Sequence, residues 1–147
     1  KGVTPFAQKP EVIIPPYEEA IMKLTQLKSE KLWEAGQDKE YFTRLTDILR
    51  NYLDRRFNIN ATEMTTSQIM SVLRKYEETT PANDQLNKIL DMADFVKFAK
   101  MRPLPEDNEV AYQRAVNFVN ETKPVEIPAE ENNEQSNNNE RKEDKKI

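Results

Sequence analysis

The sequence predicts an all-α fold, a compact bundle of about five helices. Apolar residues recur three and four positions apart in five successive segments, which is the spacing of one face of an α-helix. Proline, glycine or a capping pattern separates these segments, and the sequence carries no hairpin signal or alternating strand pair. With 147 residues, of which 37% are hydrophobic, the chain suits a single domain. We therefore expect one helical domain over residues 16–123.

Proline and charge distinguish the two flanks of this domain. Residues 1–15 form a predicted proline-rich linker, which is extended because proline fixes φ and donates no backbone hydrogen bond. Residues 124–147 contain seven acidic residues, four basic residues and a run of asparagines. Such a composition buries too little apolar surface to offset the chain entropy, so we expect a disordered acidic, Asn-rich tail.

The first helix is predicted to begin at the Pro15-Pro16 pair. Glu18 and Glu19 then lie in the first turn, where the helix dipole favours negative charge. The apolar residues that follow are Tyr17, Ala20, Ile21, Leu24, Leu27, Leu32 and Trp33. Gly36 is expected to end this helix as a left-handed C-terminal cap.

The second helix has the clearest pattern and is predicted to begin near Asp38. Its apolar stripe consists of Tyr41, Phe42, Leu45, Ile48, Leu49, Tyr52, Leu53 and Phe57. On the opposite face, Arg50 lies one turn from both Asp47 and Asp54, which predicts ion pairs along the helix. Asn58 is expected to close the helix in the left-handed region.

A capping box predicts the start of the third helix. Thr65 is followed three residues later by Gln68, and the two can bond each other's backbone amides. This helix is predicted over residues 66–76, before Thr79, Thr80 and Pro81 break it.

The last two helices are delimited by proline. The fourth begins near Asn83, with a predicted core of Leu86, Ile89, Leu90, Ala93 and Val96 and with Phe95 and Phe98 as further core candidates. The fifth begins at Pro105, followed by two acidic residues, and ends before Pro124.

The composition excludes several kinds of functional site. The chain has no histidine, no cysteine and only two glycines. It cannot form an imidazole base, a thiolate nucleophile, a zinc site of Cys and His ligands or a glycine-rich phosphate loop. We therefore expect a non-enzymatic protein that has no cofactor and no metal.

Charge bears on the possible partners. Residues 17–123 carry a formal charge of −2, within a total of −4, whereas a nucleic-acid-binding domain is normally basic. The function predicted from the sequence is a protein-interaction module. A helical nucleic-acid-binding regulator that uses the 66–76 helix is the alternative, because Ser67, Gln68, Arg74 and Lys75 resemble the polar face of a recognition helix.

Three stretches resemble a known bacterial family. They are residues 41–57, 63–69 and 93–100, and they occur in order after the leading Pro-Pro-Tyr-Glu-Glu-Ala and Trp33. Together they resemble the cytoplasmic module of membrane proteins encoded in aerotolerance (Bat) operons, over residues 15–122. The resemblance implies a cytosolic domain at the inner membrane, held by an anchor upstream of this sequence, with protein partners among the products of the same operon. The family has no assigned molecular activity, so the resemblance implies no catalytic residue.

Four residues fit a single apolar stripe poorly and are candidate partner-binding residues. They are Trp33, Tyr17, Tyr112 and Met101. Aromatic residues near helix ends are often part of the core, and otherwise they form an exposed docking patch. Because Trp33 precedes Gly36, we expect a partner surface at the corner between the first two helices.

Asp94 lies among apolar residues, which is an unusual place for a carboxylate. One interpretation is a buried acid with a raised pKa. The other is a structural ion pair with Arg50 or Arg56, which would compensate the charge.

Overall fold

The structure is a computed structural model that describes residues 13–99 and 101–125. These residues form five α-helices and no strand: α1 (Pro16–Ser29), α2 (Asp38–Phe57), α3 (Thr66–Leu73), α4 (Asn83–Phe98) and α5 (Pro105–Thr122). Short 3₁₀ helices cover Ala61–Glu63 and Glu77–Ala82. The predicted all-α fold of five helices is confirmed. Most of the predicted linker and nearly all of the predicted tail lie outside the described residues.

Helix α2 is the centre of the bundle and packs against α1, α4 and α5. Every residue of its predicted apolar stripe is buried. The stripe is wide enough to contact several helices at once, since it contains four aromatic rings and four leucine or isoleucine side chains. Asn58 ends the helix at φ 56°, in the left-handed region, as predicted.

Tyrosine hydroxyls bond the neighbouring helices to one another. The Tyr41 hydroxyl donates to the Asn108 carbonyl at 3.1 Å, and the Tyr52 and Thr122 hydroxyls are 2.9 Å apart, so both tyrosines join α2 to α5. The Tyr112 hydroxyl donates to the Leu24 carbonyl at 3.0 Å, which joins α5 to α1. Because buried hydroxyls need partners, these bonds fix how the helices are positioned along one another.

The first helix is shorter than the sequence predicts. It ends at Ser29, and Lys31 adopts a left-handed φ of 53°. A separate turn follows, in which the Gln37 amide donates to the Leu32 carbonyl at 2.9 Å and Gly36 has a φ of 83°. Gly36 is left-handed, as predicted, but it closes this turn and not the helix. The early end allows Leu32 and Trp33 to fold back against the core.

The third helix begins as predicted and ends earlier. Both hydrogen bonds of the Thr65–Gln68 capping box are present. The helix stops at Leu73, three residues before the predicted end. The Thr79 hydroxyl lies 3.1 Å from the Leu73 carbonyl oxygen and 2.9 Å from the Tyr76 carbonyl oxygen. It thus supplies a hydrogen-bond donor to carbonyl groups that backbone amides would have bonded in a longer helix.

The core predicted for α4 is correct except for its two phenylalanines. Leu86, Ile89, Leu90, Ala93 and Val96 are buried. Phe95 and Phe98 are 46% and 77% exposed, so the interpretation of these residues as core was wrong. Successive helical residues are about 100° apart, and the buried face at Ala93 and Val96 leaves both phenylalanines on the outer side.

Among the described residues, no helix combines the length and the apolar character that crossing a bilayer requires.

Candidate functional site

The corner between α1 and α2 meets the end of α4 in a cleft of about 320 Å³. We call this the corner cleft. Its walls are formed by Gly36, Gln37, Asp38 and Lys39 on one side and by Val96, Met101 and Arg102 on the other. The corner predicted from the sequence is therefore a surface feature, and Met101, one of the four candidate partner-binding residues, lies in it.

A polar network fixes the wall of the corner cleft. Arg102 donates from Nε to Asp38 Oδ2 at 2.9 Å, and Asn108 Nδ2 donates to the other oxygen of Asp38 at 3.4 Å. Asp38 and Asn108 are buried, while the Arg102 side chain is 72% exposed. Arg102 therefore joins the chain after α4 to the first turn of α2 and still presents most of its guanidinium to solvent.

Trp33 lies behind this corner and faces inward. Its ring meets the Tyr41 ring edge-on with centroids 4.9 Å apart, and Tyr41 meets Phe42 in the same way at 5.3 Å. Such edge-to-face pairs add to the stability gained by burial. Trp33 is partly buried against the core, so its contacts in the structure are those of a packing residue.

The other two candidate aromatic residues also make internal contacts. The Tyr17 hydroxyl donates to Asn120 Oδ1 at 2.8 Å, and the Lys123 ammonium lies 4.6 Å from the centre of the Tyr17 ring. Tyr112 is 9% exposed, and the Lys28 ammonium lies 5.2 Å from its ring centre. Of the four candidates, Met101 is the most exposed at 53%, and partner binding by the other three stays a prediction.

Exposed apolar side chains concentrate at and after the end of α4. Phe95, Phe98, Met101 and Leu104 are 46%, 77%, 53% and 61% exposed. They are four of the eight large apolar side chains exposed in the described residues, and we call them the α4-end patch. The sequence pattern makes both phenylalanines core candidates and therefore does not predict this patch. Phe95 and Phe98 do not share the helical spacing of Leu86, Ile89, Ala93 and Val96. This offset is the sequence signal that distinguishes them from the core residues.

The predicted ion pair of Asp94 is wrong. Asp94 Oδ2 accepts a hydrogen bond from the Thr66 hydroxyl at 2.9 Å, because Asp94 faces α3 and not α2. Arg50 donates to the carbonyls of Ala61 and Met64, which also replaces its predicted pairs with Asp47 and Asp54. Arg56 donates to the Thr122 carbonyl at 2.9 Å and lies 3.6 Å from a Glu78 oxygen. Asp94 is thus a polar contact between α3 and α4.

A polar groove of about 630 Å³ separates α3 from α4. Asp84, Asp91 and Asp94 line it, together with Arg74 and several hydroxyl and amide side chains. No three acidic residues in the described part of the chain come close enough to hold a metal ion. The groove therefore offers hydrogen-bonding groups without a converging acid cluster.

We expect the domain to unfold at alkaline pH, because three of its tyrosines are buried. Burial raises the pKa of Tyr41, Tyr52 and Tyr112 above the usual value near 10, and the Thr122 hydrogen bond partly opposes this for Tyr52. Because the folded state holds these protons more tightly than the unfolded state, their contribution to stability is complete below pH ~10 and is lost as the pH rises further. We expect the absorbance at 295 nm to rise steeply above pH ~10, together with loss of helical circular dichroism. Gradual ionisation of all five tyrosines with the helices intact would contradict this.

Comparison of the chain with protein-family models, curated proteins and solved structures found no match.

Proposed function

We propose that this domain is a non-enzymatic protein-interaction module that docks through the α4-end patch. The observation that carries the proposal is the concentration of four exposed apolar side chains, two of them aromatic, within ten residues. Burying such side chains against a partner breaks no hydrogen bond and contributes about 25 cal/mol of favourable free energy for each Å² of apolar surface removed from water. Aromatic residues and methionine are also enriched at the centres of protein interfaces.

Two exposed charged residues lie next to the patch along the chain and are candidates for a polar rim. Asp91 lies one turn before Phe95 on α4, and Arg102 follows Met101. Both side chains are exposed. A polar rim of this kind contributes specificity and orientation, while the apolar centre contributes most of the binding free energy.

The family resemblance supports a setting for this module. Under our proposal the domain belongs to a membrane-anchored bacterial protein and lies on the cytoplasmic side of the inner membrane. Its partners would then be found among the products of the same operon. A tether of this kind would raise the effective concentration of the domain near the membrane and strengthen a weak contact.

The nucleic-acid alternative has less support. Helix α3 is eight residues long, and Arg74 and Lys75 follow its end. Ser67 and Arg74 line the same groove as Asp84, Asp91 and Asp94. Carboxylates at this position repel phosphate groups and so disfavour a nucleic-acid backbone.

Site-specific photo-cross-linking tests the proposal. A benzophenone amino acid at Phe98 of the full-length protein in its native cells is expected to give a discrete protein adduct. The same replacement at Met22, which is 56% exposed on α1, is the matched control and is expected to give none. No adduct from position 98, or the same adducts from both positions, would contradict docking at the α4-end patch.

A further inference from the structure

One stripe of α4 lines the polar groove and ends in the α4-end patch. Its residues are spaced three, four, three and four positions apart, which places them on one face of the helix. They are Asp84, Asn87, Asp91, Asp94 and Phe98. The first four line the groove between α3 and α4, and the fifth is the most exposed residue of the patch at 77%. The groove and the patch are therefore neighbours along a single helix face.

The groove carries an excess of negative charge, spread along its length. Three carboxylates line it, against the single guanidinium of Arg74. Asp94 accepts from the Thr66 hydroxyl, and the Lys88 ammonium lies 3.1 Å from an oxygen of Asp84. Asp91 lies between these two along the stripe, is exposed, and has no ion pair among the described residues. It is thus the carboxylate most available to a cation from outside the domain.

We propose that the α4-end patch and the polar groove together bind a basic amphipathic segment of another protein. Its apolar residues would cover Phe98, and its lysine or arginine side chains would reach Asp91. This inference rests on the proposed function and names the chemistry of the partner. It joins two features that meet on one helix face, an apolar end and an acidic groove.

Charge distinguishes between partners that the apolar area alone would accept equally. An acidic segment along the stripe would bring its carboxylates towards Asp84 and Asp91, and like charges across an interface oppose binding. A purely apolar segment would remove water from Asp91 without replacing its hydrogen bonds, which costs free energy. A basic segment buries the same apolar side chains and gives Asp91 a charged hydrogen-bond donor. The stripe is therefore complementary to a basic segment.

Helix geometry determines the spacing that the partner needs. At 1.5 Å per residue, Asp94 and Asp91 lie about 6 and 10 Å from Phe98 along the α4 axis, and Asp84 lies about 21 Å away. A partner helix would carry its first basic residue about one turn from its apolar residues. Further basic residues would follow on the same face over about three turns.

Binding of two designed peptides to the full chain tests the inference. The first is a helical peptide of about 20 residues with a cluster of leucine and phenylalanine at one end and lysines on the same face thereafter. The second replaces every lysine by glutamate. By fluorescence anisotropy, we expect the lysine peptide to bind at least about tenfold more tightly than the glutamate peptide. This preference is expected to weaken with added salt, because it depends on exposed charges.

Variants of the full chain locate the binding site of the lysine peptide. Asp91→Lys is expected to weaken binding about tenfold, and Phe98→Ser is expected to weaken it as well. Asp47→Lys makes the same charge reversal at an exposed position of α2 outside the groove and is expected to change the Kd by less than about twofold. All three side chains are exposed, so circular dichroism is expected to stay unchanged. Equal affinities of the two peptides, or equal effects at positions 91 and 47, would overturn the inference.

A second photo-cross-linking position separates this inference from the proposed function. Asn87 lies in the groove, and a benzophenone amino acid there is expected to capture the same partner as position 98, on a segment rich in lysine or arginine. An adduct from position 98 alone would overturn the basic segment and retain the interaction module. An adduct from position 87 to residues 141–147 of the chain itself, four of which are basic, would also overturn it. No adduct from either position would refute both proposals.

Discussion

Phe118→Ala is expected to destabilise the domain by about 3–5 kcal/mol, the largest effect that we predict. Phe118 is fully buried in α5, and its ring meets the Tyr52 ring nearly at right angles with centroids 6.3 Å apart. Removing the ring loses its transfer free energy and leaves a cavity between α2 and α5, which surrounding side chains fill only in part. Domains of this size are stable by only about 5–15 kcal/mol, so the loss is a large share of the total.

Urea unfolding, followed by circular dichroism and by the fluorescence of Trp33, measures this effect. Phe98→Ala is the matched control, because it makes the same chemical change at a side chain that is 77% exposed. We expect the control to change the free energy of unfolding by less than about 0.5 kcal/mol. If the Phe118 variant does not fold, Phe118→Leu is expected to show a smaller loss in the same direction. Equal losses at positions 118 and 98 would contradict the assignment of core and surface.

Arg50→Met is expected to have the second largest effect, a loss of about 2–3 kcal/mol. The partly buried guanidinium donates to the carbonyls of Ala61 and Met64. One turn later on α2, Asp54 accepts from the backbone amide of Ala61. The two side chains thereby fix the connection from α2 to α3. Methionine keeps the apolar contacts of the arginine stem but leaves both carbonyls without this donor.

Arg44→Met is the matched control for Arg50. Arg44 lies on the same helix and forms two hydrogen bonds with Glu30, at 2.9 and 3.0 Å, on the protein surface. Because solvent screens such a pair, we expect a much smaller loss than at Arg50. Amide hydrogen exchange adds a local measurement, in which the Ala61 amide is expected to lose protection only in the Arg50 variant. Unchanged exchange there would contradict the role of Arg50 in holding this connection.

The features that the sequence predicted correctly depend on neighbours close along the chain. Gly36 and Asn58 adopt left-handed conformations, and the Thr65–Gln68 capping box forms within a span of four residues. The α2 stripe was also predictable, because its periodicity extends over five turns of helix. These elements determine the all-α fold.

The features that the sequence did not predict depend on tertiary contacts. Asp94 bonds to Thr66, 28 residues away, and no local pattern identifies that partner. Arg50 has acidic residues one turn away on both sides and still binds backbone carbonyls of another segment. Phe95 and Phe98 have the composition of core residues, and the helix that determines which side is buried packs against α4 from elsewhere in the chain. The exposed α4-end patch was therefore not among the features predicted from the sequence.

The contact between Tyr17 and Asn120 places the first residues of α1 beside the last turn of α5. Arg55 also bonds the carbonyl of Ile14, just before α1, so both flanking segments leave the domain from one pole. Helix α5 spans about 27 Å, and it begins at the pole that carries Leu104. The described chain therefore enters and leaves the domain at the opposite end of α5 from Leu104, so a partner can approach the α4-end patch without meeting the residues at which the described chain enters and leaves.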